Sequence, residues 1–465
     1  MRVEKTFAGA RLRRLRDERG MRQADLARLL GISASYLNQI EHDSRPLTVP
    51  VLVRITEAFG VDAGFFAADD AARLVAELRE ALPMDRISPA DLRELAASMP
   101  EVAEAVIALH RRGRSLAEQV EALAGDRAVE QSIGAHEQVR DFFYRHRNHF
   151  PELDAAAESI AESAGVRPGE VRTALSSHLS RMHGVRVVNA QGDTYHNASA
   201  GELHHYDAAA KVLHLSIHLR PGQQAFRMGT LIAQLEFPSL LDDVVAHLEP
   251  GPERALVRIG LARYAAAALI LPYRAFHETA ERLRYDIELL ADHFAMGYET
   301  ICHRLTTLQR PGQRGVPFSF VRVDRAGNVS KRQSATGFHF SRSGGTCPLW
   351  NVYEAFAAPG KVLTQVSAMP DGQRYLWIAR TVARSRSGYG GPGKTFAVGL
   401  GCEIRHASRL VYSAGMDLDD VAAATPIGPG CRTCDRPLCP QRSAPPIGRP
   451  LRVDENRSTF VPYPV

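Results

Sequence analysis

Lysine is nearly missing from this 465-residue chain: it stands only at 5, 211, 331, 361 and 394 among 57 Lys+Arg. The cationic chemistry falls to arginine, whose fork suits phosphate, although a genome-wide bias towards arginine produces the same count. Cysteine is absent from the first 301 residues, and all six, at 302, 347, 402, 431, 434 and 439, crowd towards the C-terminus. In a chain that reads as cytoplasmic, this argues against structural disulfides and makes metal or cluster ligation the first question. Long apolar runs are lacking too. The most apolar segment, Tyr264 to Tyr273 (YAAAALILPY), is about half the length of a bilayer span. The start of the chain (MRVEKTFAGARLRRLRDERG) holds no apolar core of signal-peptide length. Neither secretion nor membrane insertion is expected.

What is present is ordinary globular composition, 23% charged and 45% hydrophobic, which argues against a disordered or fibrous chain. At roughly 100–200 residues per domain the length implies about three domains. The net charge of +5 hides an asymmetry. Residues 1–68 carry 11 basic and 8 acidic groups (+3), residues 69–300 carry 24 and 34 (−10), and residues 301–465 carry 22 and 10 (+12). Two basic ends flank an acidic middle, so at least one end is a candidate for a polyanionic partner. The larger basic excess has three available uses: DNA-backbone contact, docking on the acidic middle, and balancing a cysteine-bound cluster. Docking and cluster balance are favoured.

Residues 1–68 read as a DNA-binding module. A basic helix stops at Gly20, a second runs from Gln23 to the break at Gly31, and a third follows from Ile32 (ISASYLNQIEHD). Helix, short glycine turn, helix is the helix-turn-helix arrangement. Ala27, Ile32, Leu37 and Ile40 sit where the two helices press together. That leaves Ser33, Ala34, Ser35, Tyr36, Asn38 and Gln39 on the leading end or outward face of the second helix. Asn and Gln amides bond adenine edges bidentately, and Ser and Tyr hydroxyls reach bases or phosphates. Gln23, at a helix N-terminus, is placed to clamp a phosphate. Through QADLARLLGISASYLNQIEHDSRP the module resembles the Xre/lambda-repressor helix-turn-helix family. The resemblance implies double-stranded DNA as partner, bound by a dimer on an inverted-repeat operator.

Residues 69–130 read as a helical connector, with a helix start at Ser88-Pro89-Ala90-Asp91. Val102, Val106, Leu109, Leu116, Val120 and Leu123 form a heptad stripe, suited either to a short coiled coil or to a helix docked on its own domain. A homodimer or higher homo-oligomer is expected. Residues 131–310 follow as an α+β region, with strands at VRVVNA, ELHHYDA and KVLHLSIHL and a helix near Gly222 (GQQAFRMGTLIAQLEF). This order resembles the IrrE-like family, which includes zinc peptidases with HExxH on that helix. Here the stretch is Thr230-Leu231-Ile232-Ala233-Gln234, without the two imidazoles and the carboxylate base that such zinc chemistry needs. Proteolysis through this motif is rejected and the chain is expected not to be an enzyme. His204, His205, His214 and His218 read as solvated side chains on surface strands.

Residues 311–465 show hairpin signals around Ala326-Gly327-Asn328 and Pro370-Asp371-Gly372, then CRTCDRPLCPQR. Cys431 and Cys434 form C-x2-C, Cys439 precedes Pro440, and Cys402 lies 29 residues upstream of Cys431. Three close thiols and one distant thiol suit a tetrathiolate site, for which zinc and an iron–sulfur cluster both fit. Cys402 is the chosen fourth ligand, with Cys347 of GGTCPLW as competitor and Cys302 as a buried core thiol. The expected architecture is multidomain α+β: an all-α lambda-repressor-like helix-turn-helix, a helical connector, an IrrE-like α+β domain lacking HExxH, and a C-terminal α+β domain with the cysteines, for which a GAF-like sheet is one option.

The segments ICHRLTTLQRPGQRGVPFSFVRVDRAGNVSKR, GGTCPLWNVYEAF, YLWIARTV and ATPIGPGCRTCDRPLCPQR extend a resemblance over nearly the whole chain. They look like the short-chain fatty acyl-CoA regulator family. The resemblance implies a transcriptional regulator of propionate or acetate metabolism that senses an acyl-CoA such as propionyl-CoA. It also implies a [4Fe-4S] cluster at the C-terminal cysteines. An acyl-CoA site needs Arg for phosphate, an aromatic ring for adenine or the arm, and an apolar dead end for the acyl group. Phe143, Tyr144, Arg181 and Arg227 are the candidates within the middle domain. The alternative is an iron–sulfur redox-sensing transcription factor with no acyl-CoA response.

Overall fold

A computed structural model describes residues 9–42, 44–59, 69–82, 87–123, 130–190, 203–336, 338, 346–385, 393–446, 456–461 and 463. Helices α1 (Gly9–Glu18), α2 (Gln23–Leu29), α3 (Ala34–Glu41) and α4 (Val49–Phe59) form the N-terminal bundle. Gly31 takes φ +62° between α2 and α3, a backbone state that a side chain disfavours. Leu26, Ala27, Leu30, Leu37 and Ile40 pack with Leu12, Leu15, Val51, Ile55 and Phe59, and Ile32 is partly buried against them.

The connector is a three-helix unit: α5 (Asp69–Ala81), α6 (Pro89–Ser98) and α7 (Pro100–Leu123). Ser88 caps α6 through a capping box with Asp91, as the sequence pattern predicts. The heptad stripe on α7 is not the face that docks within the connector. Ala103 and Ile107, with Val106 at the edge, face the α5–α6 core, whereas Val102 and Leu109 are 48% and 70% exposed. The helix docks by a face offset by one position from the stripe, because α5 and α6 approach it from that side. The side chains of Leu116, Val120 and Leu123 lie outside the described residues.

Helices α8 (Glu130–Arg145), α9 (Pro151–Ser163) and α10 (Val171–His183) lead into β1 (Arg186–Ala190), β2 (His204–Asp207) and β3 (Val212–Ser216). These strands form a small sheet in the order β1-β3-β2, with β1 parallel and β2 antiparallel to β3. Then come α11 (Pro221–Glu236), α12 (Pro238–Val244), α13 (Pro252–Ile270), α14 (Tyr273–Arg282), α15 (Ile287–Phe294) and α16 (Tyr298–Leu305). The apolar run from Tyr264 forms the buried half of α13. No single helix among the described residues is long and apolar enough to cross a membrane. The bent pair α13–α14, broken by 64°, passes on length and composition alone.

The C-terminal region builds on β4 (Ser319–Val323), β5 (Val329–Ser334), α17 (Asn351–Glu354), β6 (Leu363–Ala368), β7 (Arg374–Ser385), β8 (Gly393–Glu403), α18 (Ile404–Ala407) and β9 (Thr425–Pro426). The sheet order is β5-β4-β8-β7-β6-β9. Both hairpins form at the turns named above, and β8 sits between them, antiparallel to β4 and β7. One continuous core runs from Ala157 through α11, α14 and α16 to Phe318, Leu376, Leu400 and Leu410, so the middle and C-terminal regions share their packing across residue 310.

At the centre of the middle region Arg304, fully buried, donates to Asp154 Oδ1 (2.7 Å), Thr307 Oγ1 (2.9 Å) and the Leu271 carbonyl (3.0 Å). Asp154 Oδ2 accepts from the Tyr264 hydroxyl at 2.8 Å and lies 3.1 Å from His149 Nδ1. Burial pushes the Asp154 carboxyl up, but Arg304 and His149 outweigh it and hold the group below its ordinary value. Removing one partner strands a buried charge, so Asp154→Ala is expected to destabilise the chain by roughly 3–5 kcal/mol in urea unfolding. Because the folded carboxyl titrates lower than the unfolded one, its contribution is complete above the ordinary aspartate range. It is lost as pH falls through the folded value. Acid unfolding of Asp154→Asn should lack that component, and identical acid profiles would contradict this role.

Candidate DNA-reading helix, effector cavity and thiol site

Helix α3 begins at Ser33, whose hydroxyl oxygen accepts from Tyr36 N at 3.1 Å. Ser33, Ala34, Ser35 and Asn38 are exposed, and Tyr36 and Gln39 are half-buried. The structure therefore brings the expected base-reading side chains onto one surface. Gln23 is placed differently from a free phosphate clamp: its amide donates to Asn38 Oδ1 (3.2 Å) and Glu41 Oε2 (2.9 Å). Glu41 is buried and paired with Arg16 at 2.7 Å, so Arg16, Glu41, Gln23 and Asn38 form a chain that orients the reading helix. Arg45 is exposed, with its guanidinium 5.7 Å from the Tyr36 ring centroid. It adds a cation beside the reading surface that sequence reasoning passed over.

A cavity of about 400 Å³ lies where α5 and α7 of the connector meet α8 and β5. Phe143 and Tyr144 line it, together with Phe338 and four arginines, Arg111, Arg140, Arg145 and Arg332. Four carboxylates, Glu77, Glu104, Asp141 and Glu253, face the same space. Arg111 bridges Glu77 (2.6 Å) and Asp141 (2.8 Å), and the Tyr144 hydroxyl donates to the Thr336 carbonyl at 3.1 Å. Phe143 also packs against Phe142 and Phe150 in the core. Arg181 and Arg227 do not line the cavity. Arg181 is exposed near the end of α10 and Arg227 is half-buried on α11. The four residues expected to meet one ligand thus fall in different places, because spacing along the chain says nothing about which helix faces pair.

The degenerate peptidase stretch lies on α11. Thr230 is buried and donates to the Phe226 carbonyl at 2.8 Å, Leu231 to Ala233 are buried, and Gln234 is exposed. On the small sheet His205 and His214 stand opposite each other on β2 and β3 with ring centroids 6.4 Å apart.

Four cysteines share one pocket beside the edge strand β9 of the large sheet. Cys347, Cys431, Cys434 and Cys439 line a single pocket with Gly428, Gly430, Arg436 and Arg442. The chosen fourth ligand, Cys402, is not among them. It lies on β8 opposite Leu376, buried in the main core, where burial and then Glu403 push its thiol well above the ordinary range. The outward alternation of the strand sends Cys402 to the other face of the sheet layer, and Cys347, the competitor, takes its place. Cys302 is a buried core thiol on α16.

Around the pocket, backbone N–H groups point at sulfur. Leu349 and Gly428 donate to Cys347, Arg436 to Cys434, and Ser443 to Cys431 at 3.4 Å. Burial raises the Cys347 and Cys434 thiols, while these N–H groups, and at Cys434 also Arg442 and Arg436, oppose the rise. Arg442 is 3% exposed and binds the carbonyls of Cys431 (2.8 Å), Cys434 (3.0 Å) and Arg436 (2.5 Å). Arg436 ties the loop to the Ile427 and Ala368 carbonyls. Gly428 is required for space, since a Cβ there would sit 2.5 Å from Cys434 Sγ. The donor set and the sulfur-directed N–H groups suit a metal centre that keeps its thiolates anionic.

Comparison with known proteins agrees with this assembly. A helix-turn-helix family matches residues 12–66, the IrrE N-terminal-like domain residues 181–306, and the C-terminal domain of short-chain fatty acyl coenzyme A regulators residues 307–463. The chain is 54% identical to the HTH-type transcriptional regulator RamB of Mycobacterium tuberculosis (strain ATCC 25618 / H37Rv), over 99% of both chains. It belongs to the short-chain fatty acyl-CoA regulator family. PrpR of the same strain is 47% identical over 99% of this chain and 96% of its own. A propionyl-CoA carboxylase regulator of Cereibacter sphaeroides is 40% identical over 100% and 99%. A solved Mycobacterium tuberculosis transcriptional regulator superposes with a TM-score of 0.67 at 48% identity, covering 71% of this chain and 99% of its own. The family places this chain among helix-turn-helix transcriptional regulators, with DNA as partner.

If α3 reads bases as its exposure indicates, Asn38→Ala and Gln39→Ala each cost roughly 1–3 kcal/mol at particular base pairs. Fluorescence anisotropy on DNA selected from a random pool by the full chain measures this. Unchanged affinity and unchanged base preference in both variants would refute the groove assignment.

Proposed function

We propose that this regulator carries a [4Fe-4S] cluster on Cys347, Cys431, Cys434 and Cys439 and responds to a short-chain acyl-CoA such as propionyl-CoA. The convergence of four thiols, three of which accept backbone N–H groups, is the observation that carries the first half. When bound, such a cluster supplies one-electron redox chemistry and sensitivity to oxidants. The protein's own part is to bring the four cysteines to one pocket, to shield them by burial, and to set Arg442 and Arg436 beside them.

For the effector, the cavity beside Phe143 and Tyr144 offers aromatic faces and four arginines for a polyphosphate ligand. Since Arg111 is held by Glu77 and Asp141, an anionic ligand drawn to it competes with contacts that tie the connector to α8. An effector acts by differential affinity for DNA-competent and incompetent states, and this junction is where such a difference arises. The exposed Met99, Val102 and Leu109 on the connector suit the homodimer that an inverted-repeat operator requires.

A second reading makes the cluster the only input. Asp435 of the cysteine loop pairs with Arg79 of α5 at 3.2 Å, which gives the thiol site its own route to the connector. Anaerobically purified chain should show visible absorbance with iron and sulfide that Cys347→Ala loses and Cys402→Ala keeps. A colourless protein with bound zinc would replace the cluster by zinc, and loss with Cys402→Ala alone would restore the original ligand. Propionyl-CoA should shift DNA affinity of the loaded protein. If it has no effect while cluster loss abolishes binding, the second reading holds.

A further inference from the structure

The last turn of α11 carries Glu236, and two imidazoles of α10 converge on it. His178 Nε2 lies 2.6 Å and His183 Nε2 2.8 Å from the same oxygen, Glu236 Oε1. One ligand atom from each residue falls within 4.8 Å of the others. We propose that His178, His183 and Glu236 form a binding site for a divalent transition-metal ion of the zinc class. The inference rests on neither the cluster nor the acyl-CoA reading.

The position is distinct from the degenerate peptidase stretch. Thr230 and Gln234 occupy the metal-binding positions of that motif and Leu231 that of its base, whereas Glu236 lies two residues beyond Gln234, turned towards α10. Two imidazole nitrogens and one carboxylate oxygen suit zinc and its neighbours in the first transition row. They do not suit calcium or magnesium, which take oxygen ligands. Three protein ligands leave a fourth position open. The His183 and Glu236 side chains, 23% and 20% exposed, give solvent access to it, while His178, at 5%, anchors the inner side.

Without metal, each imidazole donates an Nε2 proton to Glu236. Metal binding needs the Nε2 lone pair, so each neutral ring must carry its proton on Nδ1 instead. His178 Nδ1 is buried and has no hydrogen-bond partner among the described residues, so nothing fixes the opposite tautomer. Nor does anything hold the ring from behind once the ion is bound. Such outer partners contribute roughly 10–100-fold in affinity where they exist. The site is therefore an exchangeable one, which clamps α10 to α11 when filled.

The test uses the full-length chain with cobalt(II) as probe and a chromophoric chelator as competitor. The cysteine site announces itself by thiolate-to-cobalt charge transfer, which a site of two imidazoles and one carboxylate lacks. A second cobalt equivalent is expected, showing visible d–d bands without that signature. It should persist in Cys347→Ala and disappear in both Glu236→Gln and His183→Gln. The isosteric Glu236→Gln keeps a hydrogen-bond acceptor for the rings, and its cobalt affinity should fall at least about 100-fold. Zinc should raise Tm by more in the wild type than in either variant, whose remaining rise comes from the cysteine site. Circular dichroism confirms that they fold, and the half-exposed His183 provides the readout if Glu236→Gln does not. Cobalt bands that all carry thiolate character, or affinity and zinc-induced Tm shift unchanged in a folded variant, would overturn the proposal in favour of a plain hydrogen-bonded bridge from Glu236 to the two imidazoles.

Discussion

The buried contact between Arg304 and Asp154 holds the middle region of the molecule in register with the chain that enters the large sheet. Its guanidinium joins α16 to α9, to the end of α13 through the Leu271 carbonyl, and to the chain entering β4 through Thr307. Tyr264 and His149 occupy the second carboxylate oxygen. A charge pair so deeply buried is stable only because both carboxylate oxygens and all three guanidinium nitrogens have partners; losing one member leaves the other stranded in a low-dielectric interior. From this point the shared core extends in both directions, into the IrrE-like helices and into the large sheet. The two family domains behave as one packed body, in which a shift of α16 is felt at β4.

The junction with the connector is built differently. Arg111 bridges Glu77 and Asp141 while still about a third exposed, and Arg79 meets Asp435 at the surface. Glu77 is itself buried, but Arg111, Asp141, Arg79 and Asp435 keep solvent access, so these charge contacts between the connector and the shared core are partly screened.

The local patterns were legible in the sequence wherever one element suffices to produce them. The helix-turn-helix, the Ser88 cap, β1 to β3, and the two hairpins all depend on spacings within a few turns of chain. Reading failed where faces from distant segments had to be matched. Cys402 and Cys347 are equally good thiols on paper, and only the pairing of β7 with β8 shows that Cys402 belongs to the main core. The heptad stripe on α7 does not tell which face docks on α5 and α6; Ala103 and Ile107 do so, while Val102 and Leu109 of the stripe stay exposed on a helix with apolar residues on two faces. His178 and His183 are five residues apart, a spacing that ordinarily turns side chains away from each other on a helix. They meet only because Glu236 arrives from another helix.

The scarcity of lysine also acquires a structural use. Arg304 reaches a carboxylate, a hydroxyl and a carbonyl with three different nitrogens, and Arg442 spans three carbonyls around the thiol loop. One ammonium nitrogen cannot span such separated acceptors, so at these two buried positions arginine is a geometric requirement, whatever biased the rest of the chain. The basic C-terminal region directs its charge inward as well. Arg322 pairs with Glu299 (2.7 Å), Arg380 with Glu288 (2.9 Å) and Arg409 with Glu281. These carboxylates belong to α16, α15 and α14 of the acidic middle region. The excess that first pointed to a polyanion is in these places a docking surface, already satisfied within the fold. DNA binding falls to the weakly charged N-terminal module that matches the helix-turn-helix family, so the larger charge excess and the DNA-binding module lie at opposite ends of the chain.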